Sequence, residues 1–326
     1  MKRFLALCAA LVLLAGCASK PAQTAPASEH TFFAMDTVMT LRLYEGGEED
    51  LLDLAERRVK ELEDLLSVTD PGSEVYALNH SGEADLSPET AELLNTALTM
   101  SERTNGALDI STYPVVRTWG FTTGEYAVPS AEAITALLPF VDYRQIRLMG
   151  FKATLPDGME IDLGSVAKGY TGDVLSAFLK ENGVTSAMLD LGGNIQTVGS
   201  KPDGSSWRVG IRDPEGDGNL GVVEVVNQAV ITSGGYERYF EEDGVRYWHI
   251  LDPQTGFPAR SGLLSVTIIG ECGAVCDSLS TALFVMGLDD ALDHWRQYRD
   301  FEAVFVSEDG SVTITAGLED GFALSQ

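Results

Sequence analysis

His249 stands in the stretch RYWHILDPQTGFPA (246–259), between aromatic and aliphatic residues, with Asp252 three positions on and Pro253 closing a short turn. An imidazole takes up a proton readily near neutral pH, so a histidine at a strand end beside an acid is a candidate general base. The other three histidines are weaker candidates. His30 falls in a tether, His80 in a polar loop, and His294 on an amphipathic helix where a solvated ring is expected. A second constellation lies in CDSLSTALFVMG (276–287), where Asp277 and Thr281 are four apart on an expected helix and so share one face. A carboxylate among Leu, Ala, Phe and Val is costly unless it is paired or coordinates a cation. A hard cation such as Mg²⁺ accepts two such oxygens. A helix-terminal acid with a back-bonded core threonine accounts for the same pattern, and the residues alone leave both open.

Three glycine turns could approach phosphate. IDLGSVAKGYTGD (161–173) runs from strand through Gly164 into a helix carrying Lys168, without the spacing of a Walker A loop. DLGGNIQ (190–196) and TSGGYERYF (232–240) are equally consistent with sheet packing. In GALDISTYPVVRTWGF (106–121), Asp109 could accept from a ribose or a base edge, or cap the turn before Pro114.

These residues need elements to hold them. Residues 31–45 alternate as one strand. Helical spacing runs over 48–67, 87–103 (opened by Ser87-Pro88), 130–138 and 165–181, the last closed by Asn182-Gly183. The second half is strand-rich, at 185–190, 194–199, 206–211, 221–226, 229–232, 245–251 and 263–269. Helices at 273–286 and 288–298 follow, then strands at 302–306 and 311–315. Helices and strands mix without strict alternation, which predicts an α+β fold with a mixed or antiparallel sheet. No linker interrupts 31–326, so these residues read as one compact domain.

The chain of 326 residues is 44% hydrophobic and 22% charged, enough for a sizeable core. Its net charge of −27 excludes nucleic-acid binding through phosphate neutralisation. The opening MKRFLALCAALVLLAGCASK has a basic start and an apolar run too short to span a bilayer. It closes on LAGC, which resembles a bacterial lipobox. Residues 1–16 then read as a lipoprotein signal peptide and Cys17 as the lipidated residue. Residues 17–30 read as a flexible tether, placing the protein on the extracytoplasmic face of a membrane. Cys272 and Cys276 remain; their spacing suits neither a disulfide nor a zinc site, and both read as small buried residues.

Taken in order, FFAMDTVMT, LSVTDPGSEVYALN, GALDISTYPVVRTWGF, DLGSVAKGYTGD, LDLGGNIQTVG, WRVGIRDP, ITSGGYERYF, HILDPQTGFP and CDSLSTALFVMG resemble successive blocks of the ApbE family, the FAD:protein FMN transferases. The resemblance covers 31–326 and implies an ApbE-like, T-fold-related domain. It implies an enzyme that uses Mg²⁺ to split FAD, transfers FMN to a Thr or Ser hydroxyl of a partner flavoprotein, and releases AMP. By position it implies Mg²⁺ ligands at Asp277, Thr281 and the Ala167 carbonyl. FAD contacts are implied at Met35, Ala107, Leu108, Asp109, Lys168, His249 and Asp252, with His249 as the base. Thr69 stands where members often carry a stacking aromatic, and Asp36 and Gly72 replace a usual glycine and a usual acid. Ser165 and Cys276 replace small residues. The acceptor pattern, Asp/Ser-Gly-Ala/Ser-Thr/Ser-x-Thr/Ser, fails in DGSVTI (309–314) and DGSSWR (203–208), so the expected substrate is a separate exported flavoprotein subunit. The competing readings are a metal-dependent FAD pyrophosphatase and a lipid-anchored flavin-binding protein without turnover.

Overall fold

The computed structural model describes residues 25–48 and 50–325. The predicted signal peptide, Cys17 and the first part of the tether lie outside the described residues. The chain opens with a hairpin, β1 (Ser28–Ala34) and β2 (Thr37–Glu45). The alternation over 31–45 reads as a single strand, but the backbone reverses at Met35 and Asp36, both left-handed with φ of 49° and 58°. Two such residues make the tight hairpin turn that Asn-Gly or Gly-Gly usually announces, and Met-Asp gives no such signal. Since β1 starts at Ser28, His30 belongs to the sheet and not to the tether; its Nε2 lies 2.5 Å from Glu56 Oε2.

There follow α1 (Leu51–Leu66), α2 (Glu74–Ser81), β3 (Glu83–Asp85), α3 (Pro88–Arg103), α4 (Tyr113–Thr118), α5 (Ala131–Leu137), β4 (Arg147–Met149), β5 (Lys152–Thr154) and α6 (Gly164–Glu181). The second half contains β6 (Ser186–Leu191), β7 (Ile195–Val198), β8 (Trp207–Arg212), β9 (Asn219–Val225), β10 (Ala229–Gly234), β11 (Tyr239–Glu242), β12 (Val245–Trp248) and β13 (Leu263–Gly270). The chain then closes with α7 (Gly273–Met286), α8 (Leu288–Tyr298), β14 (Glu302–Ser307), β15 (Val312–Ile314) and β16 (Phe322–Leu324). Helix α1 buries Leu51, Leu52, Ala55, Val59, Leu62 and Leu66, a single apolar stripe. Helix α2, read as loop from the sequence, is short but well capped: Ser73 Oγ accepts from Tyr76 N–H, and left-handed Gly82 ends it.

Eight strands form an antiparallel sheet in the order β1-β2-β6-β7-β10-β13-β14-β15, open at both edges. Its middle strands are buried on both faces. Ile231, Val266, Ile268 and Phe305 pack with Val166 of α6 and Leu279 and Leu283 of α7. Their neighbours Val230, Ile269 and Val304 pack instead against Val209, Ile211 and Val223 of the small β16-β9-β8 sheet. The alternation of a strand thus feeds two cores at once. The architecture is α+β, as expected. A separate aromatic cluster of Trp119, Phe121, Phe240, Tyr247 and Phe257 holds the β11–β12 hairpin to the rest of the domain.

Helices α6 and α7 cross at two glycines. A Cβ on Gly169 would lie 2.2 Å from the carbonyl oxygen of Gly273, and one on Gly273 would lie 2.4 Å from that of Gly169. Only glycine permits this backbone contact, and it brings the two chemistry-bearing helices together. Among the described residues no helix is long and apolar enough to cross a membrane.

Candidate active site

Asp277 lies in the second turn of α7 and is 6% exposed. Its Oδ2 accepts from the backbone N–H of Gly169 at 2.8 Å, and its Oδ1 accepts from the side-chain amide of Asn194 at 3.0 Å. Neither donor carries charge, and no ion pair is formed by this carboxylate among the described residues. Burial therefore pushes its pKa up, opposed by Lys168 and by the two hydrogen bonds. The helix-cap alternative fails, because the N-terminus of α7 is capped from another helix. Asp173 of α6 accepts from the N–H groups of Gly273 (2.7 Å) and Ala274 (2.9 Å) and from the Cys272 thiol. One turn beyond Asp277, the Thr281 hydroxyl is 3.3 Å from Ser233 Oγ, which in turn is 2.8 Å from Ser280 Oγ. Thr281 is therefore not back-bonded into its own helix; it faces β10.

A buried carboxylate without a cation, joined on the same helix face by a hydroxyl, suits a small hard ion that prefers oxygen. No group of three or more His, Cys, Asp or Glu side chains with metal-binding geometry occurs among the described residues. Such an ion would therefore rely on Asp277, Thr281 and neutral oxygens. The Ala167 carbonyl accepts the Thr171 hydroxyl at 2.8 Å, and the same hydroxyl lies 3.7 Å from Met35 Sδ. Met35, Ala167, Asp277 and Thr281 are thus linked through α6 and its crossing with α7. Met35 is fixed further by its N–H, which donates to Glu63 Oε1 at 2.6 Å.

His249 follows β12 and is part-buried. The Asp252-Pro253 turn beside it does not hold this ring. Instead, both its backbone N–H and its ring Nδ1 meet the Arg238 carbonyl oxygen at 3.1 Å. A carbonyl only accepts, so Nδ1 carries the proton and Nε2 keeps its lone pair. Desolvation pushes its pKa down to about 4, with the Arg238 and Lys168 charges adding to the effect, so the ring is neutral at pH 7. Lys168 also acts on Asp277 and on Glu237, whose carboxyl is pushed up by desolvation even though its side chain as a whole is exposed. Among the described residues neither Lys168 nor Arg238 forms an ion pair. Two unpaired cations in a chain of net charge −27 are therefore gathered around His249.

The remaining predicted contacts separate into two groups. No hydrogen bond joins the Asp252 side chain to His249 among the described residues. The Asp252 carboxylate accepts from Gln254 N–H (2.9 Å) and Thr255 Oγ (3.0 Å), building the turn. Ala107 and Asp252 meet at a cavity of about 510 Å³ lined also by Asn105, Gly106, Gln254 and Met286. Leu108 is 3% exposed and belongs to the core. Asp109 is a structural cap: Oδ1 accepts from the N–H and hydroxyl of Ser111, and Oδ2 from Tyr143 N–H. The main chain here is engaged as well: the Leu108 N–H donates to Thr104 Oγ at 3.2 Å, and the Asp109 carbonyl accepts from the Thr112 hydroxyl at 2.8 Å.

Other expectations are corrected. His294 is not solvated; it is 8% exposed, accepts from Arg103 Nε at 3.3 Å and is pushed by burial down to about 4. His80 lies in the last turn of α2, with its ring stacked 3.7 Å from that of Tyr76. Of the two cysteines Cys276 is buried but Cys272 is exposed. The stretch before α6 is not a strand: residues 161–163 are irregular, and Asp162 Oδ1 accepts the Gly164 N–H at 2.8 Å where the helix starts.

The sequence matches the ApbE family over residues 35–305. The chain belongs to the ApbE family. A relative from Treponema pallidum named FAD:protein FMN transferase is 36% identical over 283 residues, covering 80% of this chain and 78% of its own. A Klebsiella pneumoniae protein of the same name is 32% identical over 290 residues, covering 86% and 90%. The crystal structure of the ApbE protein of Thermotoga maritima superposes with a TM-score of 0.85 at 31% identity, covering 90% of this chain and 98% of that one. The apo form of the Pseudomonas stutzeri flavinyl transferase ApbE gives 0.81 at 30% identity, covering 92% and 98%. The ApbE fold therefore runs through nearly all of the described chain. Asn194, Asp173, Ser233 and Arg238 belong to the site without standing out in the sequence; the glycine turns beside them are the only local signal.

Proposed function

We propose that this ApbE-family chain is an FAD:protein FMN transferase that moves FMN from FAD to a Thr or Ser hydroxyl of a separate exported flavoprotein and releases AMP. The observations that carry the reading are a buried carboxylate lacking a cation, Asp277, and a neutral imidazole whose Nε2 lone pair is free, His249, with the Lys168 charge acting on both. Asp277 and Thr281, with a carbonyl such as Ala167, would hold Mg²⁺. When bound, the ion neutralises charge on the diphosphate and polarises the phosphorus under attack. Lys168 and Arg238 supply fixed positive charge for the same diphosphate.

The acceptor hydroxyl oxygen attacks the phosphorus of the FMN half as the bond to the AMP phosphate breaks. The hydroxyl proton passes to His249 Nε2, and AMP leaves with the bonding electrons. At about 4 the ring is a weak base in the free protein. A dianionic diphosphate beside Lys168, Arg238 and His249 offsets the two cations and raises the basicity of the ring when it is needed. The Arg238 carbonyl on Nδ1 stabilises the imidazolium that forms.

AMP release from FAD and Mg²⁺, followed with and without a peptide bearing the acceptor pattern, tests the assignment. A transferase requires the peptide; equal release in its absence would indicate hydrolysis instead. Attachment at Cys17 on the extracytoplasmic face belongs to the same proposal. It predicts that Cys17→Ser protein is recovered in the soluble fraction, and retention of that variant in membranes would remove the anchor.

A further inference from the structure

Asn194 is 4% exposed and reaches Asp277 from a different part of the fold. It ends the tight turn between β6 and β7, in which Gly192 and Gly193 have φ of 71° and 93° and Leu191 N–H donates to the Asn194 carbonyl at 2.9 Å. The turn cannot drift. A Cβ on Gly192 would come within 2.2 Å of Thr37 Oγ, so the turn is packed against the β1–β2 hairpin, and Gly193 N–H is held by Asp190 Oδ1 at 2.9 Å. The side-chain amide that emerges donates to Oδ1 of Asp277, while Gly169 N–H of α6 donates to Oδ2. Each carboxylate oxygen has two lone-pair directions. With one taken on each side by the protein, the plane of the carboxylate is fixed and one lone pair on each oxygen remains.

We propose that Asn194 is a positioning residue for the cation site, its amide orienting the Asp277 carboxylate so that the remaining lone pairs converge with the Thr281 hydroxyl. The proposal rests on the reading of Asp277 as a cation ligand. Outer-shell partners of this kind set affinity without touching the ion, and their loss typically weakens metal binding roughly 10- to 100-fold. Gly169 N–H is a backbone donor that no substitution removes cleanly, which leaves the Asn194 amide as the adjustable half of the pair.

The test measures Mn²⁺ binding by electron paramagnetic resonance on full-length protein freed of metal. Asn194→Ala is expected to raise the dissociation constant about 10- to 100-fold, with flavin fluorescence titrations in EDTA showing FAD binding unchanged. Asn194→Ser keeps a polar side chain in the turn but is too short to reach Asp277, so it loses affinity similarly and carries the test if the alanine variant does not fold. Asp277→Asn is the control. If it loses Mn²⁺ while both Asn194 variants bind within twofold of the wild type, the positioning role is overturned and the cation reading stands. If Asp277→Asn binds as the wild type does, the cation reading fails and the proposal with it. A lower melting temperature in EDTA for the Asn194 variants, with unchanged Mn²⁺ affinity, would show a purely structural contact and also overturn the proposal.

Discussion

Gly169→Ala should destabilise the protein even though alanine is the better helix former. The new Cβ would sit 2.2 Å from Gly273 O, 2.5 Å from Gly273 C and 2.7 Å from Asp277 Cβ. Carbon atoms pack at about 3.5–4.0 Å, so the two helices must separate by more than ~1 Å or bend. The obstruction is the backbone of α7 and not the end of a flexible side chain. Overpacking of this kind costs about 1–3 kcal/mol or more, against a gain of about 1 kcal/mol in helix propensity. Gly172, one turn away on α6, is the internal control. A Cβ there would find its nearest neighbours, Gln196 and Leu191, at 3.5 Å, an ordinary contact. Gly172→Ala should therefore gain roughly 0.5–1 kcal/mol. Urea unfolding followed by circular dichroism in EDTA should separate the two variants by about 0.5–3 kcal/mol. The Gly169 variant should also lose turnover, because Asp277 moves with α7. Equal stabilities for the two variants would refute the claim that the α6–α7 crossing is set by backbone contact.

His249→Ala should keep FAD binding but lower the transfer rate by about 10²–10⁴-fold, as loss of a general base does; single-turnover kinetics would show it, and a full rate would remove the role. Asp173→Ala strips three donors at the start of α7 of their acceptor and should cost about 1–2 kcal/mol in urea unfolding. His294, held down at about 4, stays neutral in the folded state between pH 4 and 6.5 while the unfolded chain takes up a proton. Its contribution is therefore fully present above about 6.5 and is lost as pH falls towards 4. Stability measured across that window should fall less steeply with decreasing pH in His294→Gln than in the wild type; identical slopes would show that the ring titrates normally.

Local patterns were legible in the sequence, and long-range partners were not. The expected helices at 273–286 and 288–298 coincide with α7 and α8, because an apolar run and a glycine break mark their limits. Asp277 and Thr281 were readable for the same reason: they sit one turn apart. Nothing in the sequence marks the β1–β2 turn, because Met35 and Asp36 adopt left-handed angles without a glycine. The alternation of α8 says which face is polar, but not that Arg103, 191 residues away, covers His294. The contacts that complete the site, Asn194 to Asp277, Asp173 to α7 and Ser233 to Thr281, span 83, 100 and 48 residues. No local spacing encodes pairings of that length; they follow from the order in which β6, β7 and β10 enter the sheet.

The most direct measurement is the intact mass of an acceptor domain after incubation with this protein, FAD and Mg²⁺, run beside an Asp277→Ala variant. The wild type should add one FMN unit less water to the acceptor hydroxyl, and the variant should add it orders of magnitude more slowly. An acceptor whose mass never changes, or one modified equally fast by both proteins, would contradict a flavin-transfer centre built on the α6–α7 crossing.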